Sequence, residues 1–394
     1  MNLPVFGIIF AFLLILNISL IPNLYAQEAK SQLIGVNMLG YYTTLPQSRE
    51  FKNPFPDNYY DQSFKIIKDG GMNHVRYVYY WESYVKNPVA FINELKFAAT
   101  LADKYGIKII YDNHQFHTSS WLNPQRGTGF PSFLFQNNSA YAYGSGGSPL
   151  YPSAAAWWTQ WWNREVTDAN GTDGWTLQSE FLKKVVGTVD GHASTAGYEI
   201  LSEPQVHSAD QWDKIGKFNT FMTNELRNVT KKDIVYSMSI PVDLDSNIGV
   251  NATNLAKMTP ANKTDTIFKF SIYGLPSPGS YQEDRLNIFL ATGNLSGVPM
   301  YIGEWNNVAR DKVINEEGDF VYEIDPEASN ITPEDTNAIL KKFNEIDPYG
   351  WAFWYWNFRP HRVENFNLVT SDAAGNLVPT KYFDILKNAV QSIK

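Results

Sequence analysis

Eight short apolar or β-branched runs recur along this chain, separated by stretches with helical periodicity, and that alternation narrows the possible folds to very few. The runs cover residues 33–39, 74–80, 108–113, 197–201, 234–240, 267–273, 299–304 and 350–356. Between them, apolar residues recur every three to four positions over 59–68, 88–105, 177–186, 209–228, 282–292, 333–345 and 382–393, and more weakly over 251–258. Strands buried on both faces read as near-continuous apolar runs, and eight strand–helix units in succession predict a closed α/β barrel of the (β/α)8 type. An open doubly wound sheet is the competing arrangement, but no Gly-x-Gly-x-x-Gly follows any of the runs. No repeat of fixed period and no Pro/Gly/Ser linker divides the chain, so one catalytic domain is expected over 27–394.

The remaining segment, 1–26, has an apolar stretch from Val5 to Leu20 and small residues near Ala26, followed by polar Gln27 and Glu28. It reads as a secretory signal peptide and implies a secreted, extracellular protein; with no Lys or Arg before the apolar run, an uncleaved anchor is the alternative. The absence of cysteine excludes disulfides, thiolate metal sites and thiol nucleophiles. With 32 Lys and Arg against 40 Asp and Glu and no long basic run, electrostatic capture of nucleic acid or of an anionic membrane is not expected. No His, Asp and Glu cluster has metal-ligand spacing, so neither metal nor cofactor is expected, and the protein is expected to be a monomer.

Between the third run and its helix lie about sixty residues, 115–175, which carry Trp121, Trp157, Trp158, Trp161, Trp162 and Trp175. Loops of that length in a compact domain are usually functional, and in a barrel this one rises from the rim that holds the active site. Most of its rings are expected to pack on one another, and a few, from Trp157 to Trp162 and Trp175, to wall a sugar-binding cleft.

Chemistry is expected where the runs stop. Strand four continues through Glu199 and Ser202 to Glu203-Pro204, and strand seven ends in Gly303-Glu304-Trp305. Across a barrel mouth these two glutamates face one another. Such a pair is what glycosidic cleavage needs, with one carboxylate ionised to attack and one carboxyl protonated to assist the leaving oxygen. Glu203 must then hold its proton against a nearby negative charge.

With these motifs in place, the chain resembles glycoside hydrolase family 5, the cellulase family of the large retaining (β/α)8 clan, from Gly35-Val36-Asn37 to Trp354. The resemblance implies that Glu203, in Ser202-Glu203-Pro204, is the acid/base and that Glu304 is the nucleophile. It implies that Arg76 supports the nucleophile, that His114 of Asp112-Asn113-His114 bonds the sugar, that Tyr273 closes a His-x-Tyr motif, and that Trp354 floors the same subsite. Two positions depart from the family. Ser202 replaces an Asn that bonds the sugar 2-hydroxyl, so it would reach that atom only through a shift or a bridging water. Ser271 replaces the His of His-x-Tyr. The implied substrate is a β-linked polysaccharide, first of all a β-1,4-glucan, with mannan, another β-glycan or a glycolipid as alternatives. A carbohydrate-binding barrel without activity is the reading from a different class, and the two glutamates argue against it.

Overall fold

The computed structural model describes residues 31–44, 58–125, 127–146, 152–238, 248–307, 310–314, 320–324, 331–357 and 367–393. The expected leader over 1–26 lies outside them. Eight parallel strands close into a barrel: β1 (Leu33–Leu39), β2 (His74–Tyr79), β3 (Lys108–Asn113), β4 (Thr195–Glu199), β5 (Asp233–Ser237), β6 (Thr266–Tyr273), β7 (Met300–Asn306) and β8 (Gly350–Phe353). They are hydrogen-bonded in the order β1-β8-β7-β6-β5-β4-β3-β2. The expected (β/α)8 architecture is therefore the observed one. Helix boundaries follow local chemistry. The helix Pro88–Tyr105 opens with Asn87, whose side chain accepts from the Ala90 N–H, and with Pro88 in its first turn; it stops at Gly106, whose φ of 67° is the left-handed conformation glycine adopts freely.

Side chains alternate across a strand, and the period of two sorts the barrel interior into layers. The lowest is apolar: Leu33, Ile110, Val235, Ile267, Tyr301 and Ala352 pack together. Further along the strands the filling is polar, with Asn37, Arg76, Asp112 and Lys269 joined by Glu199, all fully buried. Apolar side chains return at the rim, where Leu39, Val78 and Tyr80 gather under Trp354. The opposite face of β6, Phe268, Phe270 and Ile272, belongs to the larger core between strands and helices. The apolar floor and the helix-facing core supply the hydrophobic stabilisation, and the polar layer above them is where chemistry can occur.

The 115–175 segment is a folded cap. It contains the helix Pro152–Trp162 and two single-turn 3-10 helices, Ser132–Leu134 and Ser139–Tyr141. The buried Glu82 ties it to the barrel by accepting from the Gly129 N–H at 3.0 Å and the Ser120 hydroxyl at 2.6 Å. The expectation that Trp157–Trp162 and Trp175 wall a cleft is not met. All five indoles, Trp157, Trp158, Trp161, Trp162 and Trp175, are buried. Trp157 stacks on Trp161 with centroids 5.2 Å apart and on Phe135 at 4.9 Å. Internal acceptors take the indole N–H of Trp158 (Thr118 Oγ1), Trp162 (Gln205 carbonyl) and Trp175 (Trp161 carbonyl). A helix with large rings at consecutive turns buries far more apolar area by packing inward than by lining an open groove. Among the described residues of this region, the exposed rings are Phe116 and Tyr143.

Candidate active site

Glu304 lies within β7 beside a register shift. Phe270 of β6 pairs with Ile302, whereas the next residue, Ser271, pairs with Glu304, so Gly303 is the extra residue of a bulge. A bulge re-aims the following side chain, and here it directs Glu304 into the barrel. Its Oε1 accepts from Arg76 Nη1 at 2.9 Å and from Lys269 Nζ at 3.2 Å, while its Oε2 accepts from the Tyr273 hydroxyl.

Glu203 reaches the same place differently. The strand expected over 197–201 ends at Glu199, and Glu203 sits four residues on, in the turn, with a φ of 49°. This left-handed backbone is uncommon for a residue with a side chain and is held from both sides. Gln115 Nε2 donates to the Glu203 carbonyl at 2.6 Å, and the Glu203 N–H donates to Ser237 Oγ at 3.1 Å. Gln115 is fixed in turn by the Thr118 N–H. The carboxyl of Glu203 accepts from Ser271 Oγ at 2.8 Å and lies 3.7 Å from Lys269 Nζ. Because one ammonium is within 4 Å of both carboxylates, their Oε1 atoms are no more than about 7 Å apart, a bound that the spacing of about 5–5.5 Å in retaining glycosidases satisfies.

The two carboxyls are driven in opposite directions. Burial raises the proton affinity of Glu203, and the charge of Glu304 raises it further; Lys269, His114 and Ser271 oppose but do not outweigh these effects. Burial would also raise Glu304, but the charges of Lys269, Arg76 and His114 and the Tyr273 hydrogen bond hold it well below the usual carboxylate range. One glutamate is thus set to be protonated and the other ionised, the division of labour that acid-assisted attack requires.

Arg76 is the hub of the polar layer. Besides Glu304 it binds Glu199 through Nε at 2.7 Å and Nη2 at 3.0 Å, Asp112 Oδ2 at 2.8 Å, Asn37 Oδ1 at 2.8 Å and Ser202 Oγ at 2.9 Å. Asp112 also bonds His114 Nδ1 at 2.9 Å. Burial disfavours a charged imidazole, but Asp112 more than compensates, and the affinity of His114 for its proton is raised. The His114 ring stacks on Trp354, which is half-buried just beyond β8, at 5.6 Å and 16°. Among the residues expected at the site, Arg76, His114, Tyr273 and Trp354 therefore gather around the two glutamates. Ser202 requires a correction. It is fully buried and its hydroxyl is taken by Arg76, with Lys269 Nζ at 3.4 Å, so it belongs to the floor of the site and does not face a sugar.

Two charged residues of the site were not anticipated. Glu199 pairs with Arg76, and Lys269 stands between Glu203 and Glu304. The signal for Lys269 was present: in Phe268-Lys269-Phe270-Ser271-Ile272-Tyr273 the polar residues alternate, which sets Lys269, Ser271 and Tyr273 on one face of β6. Among the described residues, no group of three or more His, Asp or Glu could hold a metal ion.

The family model for cellulase, glycosyl hydrolase family 5, matches residues 26–359. Among solved structures, an endogalactoceramidase superposes with a TM-score of 0.66 at 18% identity, covering 91% of this chain and 80% of that one. Endo-glycoceramidase II from Rhodococcus sp. gives 0.63 at 15% identity, covering 90% and 78%. An endo-β-1,4-glucanase from Xanthomonas axonopodis pv. citri, solved as a triple mutant, gives 0.56 at 15% identity, covering 92% and 99%. At these identities the likeness is one of fold. No curated protein matches the chain by sequence.

Proposed function

The chain belongs to the cellulase family, glycosyl hydrolase family 5, and is a glycoside hydrolase; from that premise we propose that it cleaves β-glycosidic bonds with retention, with Glu304 as nucleophile and Glu203 as acid/base. The observation that carries this reading is the shared environment of the two carboxyls: Lys269 Nζ lies 3.2 Å from Glu304 and 3.7 Å from Glu203, Lys269 and Arg76 lower the proton affinity of Glu304, and burial raises that of Glu203. Arg76 and Lys269 occupy Oε1 of Glu304, which leaves Oε2, beside Tyr273, to form the bond to the anomeric carbon. As that bond forms, the bond to the leaving oxygen breaks and Glu203 gives that oxygen its proton. In the second half Glu203 takes a proton from water, the water oxygen bonds to the same carbon, and the ester to Glu304 breaks.

The substrate we propose is a β-linked glucosyl glycan, a β-1,4-glucan in the first instance, which reaches the enzyme outside the cell after export by the 1–26 leader. A glycolipid is the second reading, and it has its own support. The expected row of indole platforms is buried in the cap, whereas Phe116, one residue beyond the Gln115 that clamps Glu203, is exposed. There it suits an apolar aglycone, and two of the fold neighbours are endoglycoceramidases. Incubation with 2,4-dinitrophenyl 2-deoxy-2-fluoro-β-cellobioside followed by peptide mass spectrometry should find the sugar on Glu304. Inactivation without an adduct there would refute the assignment. Reducing-end assays on carboxymethyl-cellulose and glucomannan, run beside release of oligosaccharide from a glycosylceramide in detergent micelles, separate the two substrate classes.

A further inference from the structure

Lys269 is the charged group of the barrel interior with the least conventional position. Its side chain is fully buried, and its Nζ lies 3.2 Å from Glu304 Oε1, 3.7 Å from Glu203 Oε1 and 3.9 Å from Glu199 Oε1. Its stem runs across Gly303, where an added Cβ would fall 2.4 Å from Lys269 Cε and 2.6 Å from its Cγ. The ammonium is thus built into the site by the bulge of β7. Burial opposes its charge, but Glu304 first, then Glu199 and Glu203, outweigh both burial and the repulsion from Arg76, and the amine is held protonated.

We infer that Lys269 is a positioning residue that serves the two carboxylates in turn: it binds Glu304 while that group is free, and once Glu304 is esterified it turns its charge on Glu203, which then releases its proton and becomes the base. This rests on the retaining reading above. The reasoning is Coulombic. In the free enzyme the charge of Lys269 is largely satisfied by Glu304. Esterification removes that negative charge, and Arg76 keeps Glu199 and Asp112 as its own partners. What remains for Lys269 is Glu203 at 3.7 Å and a share of Glu199 at 3.9 Å, in an interior where water screens little. With the Glu304 charge gone, burial is the remaining influence that raises Glu203, and Lys269 leads the groups that oppose it, ahead of His114 and Ser271.

The difference can be measured on the unmodified protein. With the 2-fluoro-cellobiosyl adduct trapped on Glu304 and the carboxyl carbons of glutamate labelled with carbon-13, the Glu203 signal should titrate below about 4.3, the value of a free glutamate side chain. A midpoint above that would overturn the role of Lys269 and leave the retaining mechanism intact. Failure of the adduct to form on Glu304 would overturn both. Kinetics on Lys269→Met supply an independent readout. With 2,4-dinitrophenyl β-cellobioside, which needs no acid assistance, breakdown of the glycosyl-enzyme should slow on the order of 10²-fold, within the range that general base catalysis contributes. A burst of dinitrophenol should appear, and azide, a nucleophile that needs no base, should restore turnover. A folded variant that shows neither burst nor azide acceleration would refute the inference, and if the variant does not fold the titration decides alone.

Discussion

Lys269 fills the space that a side chain at position 303 would need: a Cβ on Gly303 would approach its Cε, Cγ and Cδ to 2.4, 2.6 and 3.0 Å. The glycine of the Gly-Glu-aromatic motif is therefore required here by packing as well as by the bulge. Gly303→Ala should displace the ammonium from Glu304, lower activity and cost about 1–3 kcal/mol of stability, as overpacking of a filled core does. In a Lys269→Ala background the same change enters vacated space and should cost much less. Melting temperatures of the two single variants and the double variant test this, and simple additivity would show that the two residues do not share the space.

The opposed proton affinities of Glu203 and Glu304 imply a bell-shaped profile of kcat/KM. Attack needs Glu304 ionised, and because its affinity is lowered the acid limb should lie below about 4.3, the value of an unperturbed glutamate. Leaving-group assistance needs Glu203 protonated, and because its affinity is raised the alkaline limb should lie above that same value of about 4.3. Activity should persist between the two limbs and fall on either side. In Glu203→Gln, assayed on a dinitrophenyl glycoside, the alkaline limb should disappear and the acid limb remain. Loss of the acid limb in its place would exchange the two assignments.

Removal of each carboxylate should leave a distinct chemical trace. Glu304→Gln should abolish turnover at the first step. Glu203→Ala should fall roughly 10²–10⁴-fold on substrates with poor leaving groups, the usual contribution of a general acid. On a dinitrophenyl glycoside, whose leaving group needs no acid, azide should rescue it and give a glycosyl azide of retained configuration. Rescue of a Glu304 variant with an azide of inverted configuration would mean that Glu203 is the acid and Glu304 is indeed the nucleophile, whereas rescue of the Glu203 variant with inversion would reverse the roles.

The barrel was legible from alternation because each parallel strand is buried on both faces and reads as an apolar run. Strand ends were less so. Strand four stops at Glu199 because the next residues turn, and the left-handed backbone of Glu203 depends on Gln115 and Ser237, which come from distant parts of the chain. Tyr273 lay where strand period and motif both placed it, whereas Glu304 was found from its motif alone, because the bulge at Gly303 breaks the period that would turn it outward. Glu199 and Lys269 escaped notice because a charge inside a strand is ordinarily solvated at an edge. Only closure of the barrel brings Arg76 against Glu199 and sets Lys269 between two carboxylates. Ser202 was read from the residue it replaces, while its own hydroxyl is committed to Arg76. The tryptophans of the cap misled for a related reason: composition records how many rings there are, and tertiary packing decides which way they face.

That last point gives a prediction in which the two possible roles of a ring differ in outcome. Trp157 and Trp161 are fully buried and stacked 5.2 Å apart, and Phe130 packs edge-on to each at 4.8 Å. Truncating either ring opens a large cavity, so Trp157→Ala and Trp161→Ala should each lose about 3–5 kcal/mol and melt at markedly lower temperature. Activity on a polymer and on a short aryl glycoside should then fall in parallel, because the damage is to the cap as a whole. Phe116 and Tyr143 are exposed by 43% and 60%, so their removal leaves no cavity. Phe116→Ala should keep the melting temperature within about 1 °C, since surface substitutions usually change stability by less than 0.5 kcal/mol. It should keep the aryl glycoside activity as well, while raising KM for the natural substrate by roughly tenfold, the effect of losing about 1.4 kcal/mol of contact with the leaving group. If the loss appears on the glycosylceramide and not on the glucan, Phe116 receives a lipid aglycone; if it appears on the glucan, the ring stacks on a sugar; and if it appears on neither, Phe116 lies outside the substrate's path.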